Sequence, residues 1–457
     1  MDKSNRNPMP IQPAELRTKN FDEVAVGYDD KTAQAEANRC LNCKSAPCIK
    51  GCPVGINIPG FIGEIKNGNL DGAAKILQSD NNLAAICGRV CPQERQCENV
   101  CVRREKLGGA VGIGNLERYT ADYALSQNKP PQIAESKEKS VAVVGSGPAG
   151  LTAAAELATL GVKVVIYEAL HKAGGVLVYG IPEFRLPKAT VQKEIDRVVA
   201  LGVEIRLNEV VGKTVFIDEL LNEFDAVFIG SGAGLPMFLH IAGENLCGVY
   251  SANEYLTRVN LMKAYKEDSA TPILRGKKVV VVGAGNVAMD SARTAIRLGG
   301  KCHLVYRRSR EEMPARAAEI AHAEDEGVEF ELLTNPIEIL GENGQVRGIR
   351  CIRMELGEVD ASGRRSPIPI LGSEFEIECD QVIVALGTTP NPLIKKSFMQ
   401  LDTTKKGTIC YDEDTFQTSV DRVYAGGDAI TGAATVILAM GAGKKAAKAI
   451  YERIMKD

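Results

Sequence analysis

The chain has 457 residues, 45% hydrophobic and 25% charged, and its Lys+Arg 55 against Asp+Glu 58 leave a formal charge of −3. That balance offers no electrostatic footprint for nucleic acid or an anionic membrane surface, and no apolar run approaches the roughly 18–20 residues of a bilayer span. At about 150 residues per domain, and with a polar opening from Met1 to Gln12 that does not read as a signal peptide, a cytoplasmic protein of about three domains is expected.

The first informative stretch is built on cysteine. Of 13 cysteines, eight fall between Cys40 and Cys101, spaced Cys40-x2-Cys43-x4-Cys48-x3-Cys52-Pro53 and Cys87-x3-Cys91-x5-Cys97-x3-Cys101. Tight spacings that end in Cys-Pro are the ferredoxin-like arrangement, in which the last thiolate often serves the other cluster. Zinc prefers paired CxxC knuckles, and only Cys40/Cys43 has that spacing. Eight thiolates match two [4Fe–4S] clusters. The remaining Cys247, Cys302, Cys351, Cys379 and Cys410 are scattered singly and read as small core residues. Between the cysteine groups, Ile58 to Leu77 reads as a pair of short helices and Leu116 to Tyr123 as another, with apolar residues three to four apart. A small helical iron–sulfur domain is expected, followed by a polar linker around Pro130-Pro131.

Past the linker the pattern becomes α/β. Ser140–Val144 reads as a buried parallel strand running into Gly145-Ser146-Gly147-Pro148-Ala149-Gly150, then an Ala/Leu-rich helix, then a second strand, Lys163 to Tyr167, ending in Glu168. The plan recurs at Lys277–Val282, Gly283-Ala284-Gly285-Asn286-Val287-Ala288, a helix to Leu298, and Cys302 to Tyr306. In such a unit the glycines allow a tight turn and a close approach of backbone to a pyrophosphate at the helix N-terminus. The residue closing the second strand separates the two ligands. Glu168 can accept from ribose hydroxyls, as FAD or NAD requires. Arg307 and Arg308, with Arg310 and Arg316 close by, suit a 2′-phosphate, so the second site is expected to take NADPH. Gly174-Gly175 and Arg185 lie in turn-rich stretches after Glu168 and are further candidates at the flavin. Near the C-terminus, Val423 to Asp428 reads as a strand ending in Gly426-Gly427-Asp428 before an uncharged helix from Ala433 to Ala442. Gly427, Asp428 and Thr435 are then candidates near the flavin, where a helix N-terminus favours the charge of reduction.

The cysteine block, Val143–Gly150, Glu168, Gly283–Ala288, Tyr306-Arg307-Arg308 and Ala425–Asp428 together resemble the small (beta) subunit of NADPH-dependent glutamate synthase, from about Phe21 to the C-terminus. Relatives of that family include the large subunit of the electron-bifurcating NADH-dependent ferredoxin:NADP oxidoreductase and the amino-terminal half of dihydropyrimidine dehydrogenase. Met9-Pro10 and Lys19–Val24 look more like the stand-alone or bifurcating branch. The resemblance implies two adrenodoxin-reductase-like Rossmann domains of three layers behind the helical iron–sulfur domain. The helical domain would span 1–130, the FAD domain 138–255 with 388–457, and the NADPH domain 256–387.

It also implies crossed ligation: Cys40, Cys43, Cys48 and Cys101 on a distal cluster, and Cys52, Cys91 and Cys97 on a flavin-proximal one. Cys87 and Glu117 compete for the fourth proximal place. Electrons would run from NADPH through FAD and the two clusters to an acceptor, because a flavin converts paired electrons to single ones. No acid–base role falls to His171, His240, His303 or His322. The chain has Asp2 where a glutaminase would need an N-terminal Cys, and no residues remain for an FMN barrel. A partner subunit, either a glutamate synthase large chain or a ferredoxin-reductase-type flavin protein, or a homo-oligomer is therefore expected. The rival readings are the bifurcating enzyme and a redox-inert scaffold, the latter disfavoured because every motif glycine and thiolate is present.

Overall fold

The computed structural model describes residues 5–105, 107–360 and 363–456, so Met1 and Asp2 lie outside the described residues. The N-terminal region folds as helices α1 (Asp30–Asn38), α2 (Ile58–Lys66), α3 (Leu70–Asp80), α4 (Ala84–Val90) and α5 (Ile113–Gln127). Three start on side-chain caps that satisfy free N–H groups: Asp29 accepts from Thr32 N, Asn57 from Gly60 N and Asn69 from Gly72 N. α2 buries Ile58, Phe61, Ile62 and Ile65, one stripe at helical spacing, against Leu77 and Leu116.

The linker leads into β1 (Ser140–Val144), α6 (Pro148–Thr159), β2 (Lys163–Glu168), α7 (Lys188–Val199), β3 (Glu204–Leu207) and β4 (Ala226–Ile229). The second unit holds β5 (Val249–Ser251), α8 (Ala252–Asn260), β6 (Lys278–Val282), α9 (Asn286–Arg297), β7 (Lys301–Tyr306), α10 (Ala317–Asp325), β8 (Glu329–Leu332) and β9 (Gln381–Val384). The chain then returns for β10 (Val423–Ala425) and α11 (Val436–Ile454). Each unit is a five-stranded parallel sheet, ordered β10-β4-β1-β2-β3 and β5-β9-β6-β7-β8. β1 is flanked by β2 (Val143 opposite Ile166) and β4 (Val143 opposite Phe228), so its C-terminal end is the point where strand order reverses. Ligands of open α/β sheets bind there.

The structure moves one expected boundary. β5 and α8 belong to the second sheet, with Val249 opposite Val382, so the crossing falls before 249 rather than at 255. β5 is only three residues long and carries no apolar run to announce it. The two crossings run side by side, Leu235–Pro236 pairing antiparallel with Thr388–Thr389. An antiparallel insert that the sequence reading did not anticipate fills the stretch before β9, with strands Thr334–Glu342, Gln345–Val359, Arg365–Pro369 and Phe375–Glu378. Cys302, Cys351 and Cys379 are buried as core residues, whereas Cys247 is exposed and Cys410 half-buried.

A buried ion network joins the three units. Glu326, just past α10, accepts from Arg293 and Arg297 of α9 and from Arg17 of the N-terminal segment at 2.8 Å. Arg293 also pairs with Glu319 of α10, and Arg185 of the first sheet unit reaches Asp290 of α9 at 2.6 Å. The Phe184 ring lies under the Arg297 guanidinium, 3.8 Å from its centroid. Burial alone would raise Glu319 and Glu326, but the surrounding guanidiniums hold both at about 2.

Candidate functional site

At the end of β1 the Gly145 turn has φ 97°, and a Cβ there would sit 2.7 Å from the Gly230 carbonyl oxygen, so only glycine fits. Glu168 closes the loop from below. Its carboxylate accepts from Ser146 N (2.9 Å), Ser146 Oγ (2.5 Å) and Leu170 N (2.8 Å). Ser146 Oγ in turn accepts from Gly174 N at 2.9 Å, and a Cβ on Gly175 would stand 3.0 Å from Gly147 Cα. Gly145, Gly147, Pro148, Ala149, Gly150, Glu168, Gly174 and Gly175 thus come together at the switch point. Ser146, which ties them, stands at a variable position of the motif and carries no sequence signal.

Gly427 packs on Ala149 at the head of α6. Asp428 opens a one-turn helix, Asp428–Thr431, not the long one. Its Oδ1 accepts from Ala434 N at 3.2 Å, and burial pushes its carboxyl up to about 6. The long helix α11 starts at Val436 rather than Ala433, with Thr435 as its cap. Tyr179, half-buried near Asp428 and Glu168, has its phenol pushed up to about 12, mainly by desolvation of its hydroxyl.

In the second unit Gly283, Gly285, Asn286, Val287 and Ala288 form the equivalent turn between β6 and α9. Arg307 ends β7 exposed to solvent, with no hydrogen bond or ion pair among the described residues. Three other arginines expected at cofactors are committed elsewhere. Arg308 is buried and donates to Arg365 O (2.7 Å) and Asp360 (2.6 Å), closing the antiparallel insert onto β7. Arg185 is held in the ion network by Asp290. Arg316 turns onto the iron–sulfur domain, donating to Arg89 O (2.8 Å) and Gln93 Oε1 (3.1 Å), while Asn286 Oδ1 accepts from its backbone N–H (3.0 Å).

The cysteine block closes on two cavities. Cys40, Cys43, Cys48 and Cys101 line one, together with Ile58, Ile62 and Val102. Cys52, Cys91, Cys97 and Glu117 line the other, together with Gln93 and Ile437. Burial raises the Cys40, Cys52 and Cys97 thiols, takes Cys48 to about 11 and holds the Glu117 carboxyl at about 8, whereas Cys91 is raised first by its contact with Cys87 and then by burial. Cys87 is not in the second lining. Its Sγ lies 3.4 Å from Met440 Sδ and 3.9 Å from Asn81 Oδ1. Among the described residues no three His, Cys, Asp or Glu converge on a single ion. Four thiols around the first cavity, and three thiols with a carboxylate around the second, suit four-iron clusters.

α11 connects the two kinds of site. Thr435 stands at its head, beside the Asp428 turn. Ile437 lines the second cavity, Met440 touches Cys87, and a Cβ on Gly441 would stand 2.9 Å from Pro53 O. α11 thus touches both sites: Gly443 packs on Ala149 O of the first glycine loop, and Ile437 lines the cavity of Cys52, Cys91, Cys97 and Glu117.

Residues 17–129 match the family described as dihydropyrimidine dehydrogenase domain II, 4Fe-4S cluster, and residues 139–446 match pyridine nucleotide-disulphide oxidoreductase. Fold and site thus define a pyridine nucleotide oxidoreductase fused to an iron–sulfur module. The chain is 39% identical to the glutamate synthase [NADPH] small chain of Azospirillum brasilense, over 96% of this chain and 93% of that one. It is 41% identical to the NADP(+)-dependent formate dehydrogenase subunit beta of Moorella thermoacetica over 93% of its own length, and spans 63% of that protein. The chain belongs to the glutamate synthase small-chain family: it is an oxidoreductase with FAD, NADPH and [4Fe–4S] clusters as cofactors. Mycobacterium tuberculosis FprA in complex with NADPH shares the fold, with a TM-score of 0.57 at 23% identity over 70% of this chain and 84% of that one.

Among the described residues no helix is long and apolar enough to cross a membrane.

Proposed function

We propose that this chain is the electron-input module of a multi-subunit enzyme, oxidising NADPH and delivering single electrons to a partner subunit of the glutamate synthase large-chain type. When bound, FAD exchanges a hydride with the nicotinamide and electrons singly with iron–sulfur clusters. The carrying observation is α11, which runs from the Asp428 turn at Thr435 past the cavity wall at Ile437 and packs on Ala149 of the flavin-type loop through Gly443.

In this reading Glu168 accepts the ribose hydroxyls of FAD, and Gly145–Gly150 give the pyrophosphate backbone N–H groups. Asp428 and Thr435 hold the N-terminal end of α11 toward the flavin. Gly283–Ala288 cradle the NADPH pyrophosphate, and Arg307, with no protein partner to surrender, takes the 2′-phosphate. Cys52, Cys91, Cys97 and Glu117 hold the proximal cluster, and Cys40, Cys43, Cys48 and Cys101 the distal one. A cytoplasmic location belongs to the same reading, since seven thiolate ligands need a reducing compartment.

Relatives named as subunits of glutamate synthase, of formate dehydrogenase and of an NADPH-Fe(3+) oxidoreductase support a shared module with exchangeable acceptors. Anaerobic purification with flavin and iron analysis tests the core of the proposal. One FAD and about eight irons per chain are expected, from two four-iron clusters, with bleaching by NADPH much faster than by NADH. Zinc in place of iron would reject it. Co-purification of a large glutaminase-containing chain supports the glutamate synthase assembly, and a ferredoxin-reductase-type flavin subunit would replace it with the bifurcating one.

A further inference from the structure

The second cavity has five candidate ligands for four places, and one buried amide touches both of those in dispute. Asn81 follows α3 and is 2% exposed. Its Nδ2 donates to Glu117 Oε1 at 2.8 Å, and its Oδ1 accepts from Leu83 N at 3.0 Å. The Leu83 N–H can only donate, so the oxygen of the amide must face it, and the nitrogen must then face Glu117. The amide cannot turn over without losing both bonds.

The same Oδ1 lies 3.9 Å from Cys87 Sγ, with Met440 Sδ 3.4 Å away on that thiol. Both neighbours are acceptors. The sulfur is thereby engaged by Met440 and Asn81 and is absent from the cavity lining, which holds Cys52, Cys91, Cys97 and Glu117. Cys87 is nonetheless beside Cys91, a cavity residue whose thiol it pushes up by direct contact. It is near enough to compete and is turned onto Asn81 and Met440 instead. Glu117, by contrast, has one oxygen fixed by Asn81, and Oε2 makes no hydrogen bond among the described residues.

We propose that Asn81 is the positioning residue that sorts the two candidates, its amide nitrogen presenting Glu117 to the proximal cluster and its amide oxygen keeping Cys87 out. This rests on the reading that Glu117 completes the ligand set of Cys52, Cys91 and Cys97. A carboxylate ligand under a hydrogen bond is a different donor from a thiolate, and such outer contacts set cluster potentials.

The test uses the full chain purified anaerobically, read by iron and flavin content, the EPR spectrum of the reduced clusters and redox titration. Asn81→Leu is expected to keep FAD and an unaltered distal signal while the proximal signal and midpoint potential shift to those of an all-thiolate cluster. Adding Cys87→Ala to Asn81→Leu is expected to abolish that all-thiolate signature, whereas Cys87→Ala alone leaves wild-type iron and spectra. If Asn81→Leu yields no folded protein, Asn81→Asp serves, since it keeps the shape and removes the donor; the same loss of the wild-type proximal signal is expected. Wild-type proximal spectrum and potential in the folded Asn81 variant overturn the proposal while leaving Glu117 ligation intact. Loss of the proximal cluster in Cys87→Ala but not in Glu117→Ala overturns the ligand reading itself.

Discussion

Arg307 and Arg308 are adjacent in sequence and opposite in situation. Arg308 spends its guanidinium on Arg365 O and Asp360, and is buried doing so. Arg307 is exposed at the end of β7, where a nucleotide bound on the Gly283 turn presents its adenosine ribose. A charge-assisted bond to a phosphate is worth about 1.5–3 kcal/mol. Arg307→Glu should therefore cut the preference for NADPH over NADH roughly tenfold to a hundredfold in kcat/KM with an artificial acceptor. Arg308→Ala should leave that ratio alone and lower thermal stability instead, since it leaves the Asp360 carboxylate without the guanidinium. An unchanged nucleotide ratio in Arg307→Glu would remove Arg307 from the site. At the first loop, Glu168 accepts three hydrogen bonds and has no donor of its own to offer. Glu168→Gln turns an amide N–H₂ toward some of those donors, and purified protein should carry substantially less FAD, read from flavin absorbance per chain.

Helices and strands announced themselves to the extent that their burial was uniform. β1, β2 and β6 are covered on both faces, so each reads as an apolar run; that of β7 is broken only by the half-buried His303, and the glycine turns follow directly from β1 and β6. β5 has three residues and the antiparallel insert has mixed faces, so neither stands out. The C-terminal helix was expected three residues too early because the break lies in backbone, not composition: Gly432 takes φ 76° after a single turn, and Thr435 restarts the helix. Charge was the least legible feature. Arg185 and Asp290 are 105 residues apart, and Arg316 and Arg89 are 227 apart, and no local pattern links them. The α9–α10 pair is held by just such distant partners. Glu326 pairs with three guanidiniums through buried oxygens, and removing its charge leaves Arg297 without its acidic partner and deprives Arg17 and Arg293 of one each. Glu326→Gln should destabilise the second unit by about 3–5 kcal/mol, as for breaking any buried pair, and calorimetry should show its transition moving down. No change in that transition would mean the network holds nothing together.

The N-terminal segment gives this network its reach across the molecule. Val24 N donates to Phe184 O in the first sheet unit, Phe21 stacks on Tyr265 with centroids 4.1 Å apart, and Arg17 enters the Glu326 cluster. The N-terminal segment is thereby tied to the nucleotide domains, in addition to the Arg316 contact, through groups that titrate. Glu319 and Glu326 sit at about 2, below the unfolded value of 4.5, so their contribution is present above 4.5 and is lost as pH falls through about 2. His322, between them on α10, is the first to respond. Burial lowers it from 6.5 to about 4, so the folded state holds it neutral while the unfolded state takes up a proton below 6.5. Its contribution is complete above 6.5 and is lost as pH falls from there through about 4. The strap should therefore loosen on mild acidification, well before its carboxylates protonate. Hydrogen exchange of the α10 amides in the holoprotein, corrected for intrinsic rates, should lose protection between pH 7.5 and 5. His322→Asn should abolish that slope while leaving protection of β1 and β2 unchanged. Equal slopes in the two proteins would show that His322 is not the group that titrates.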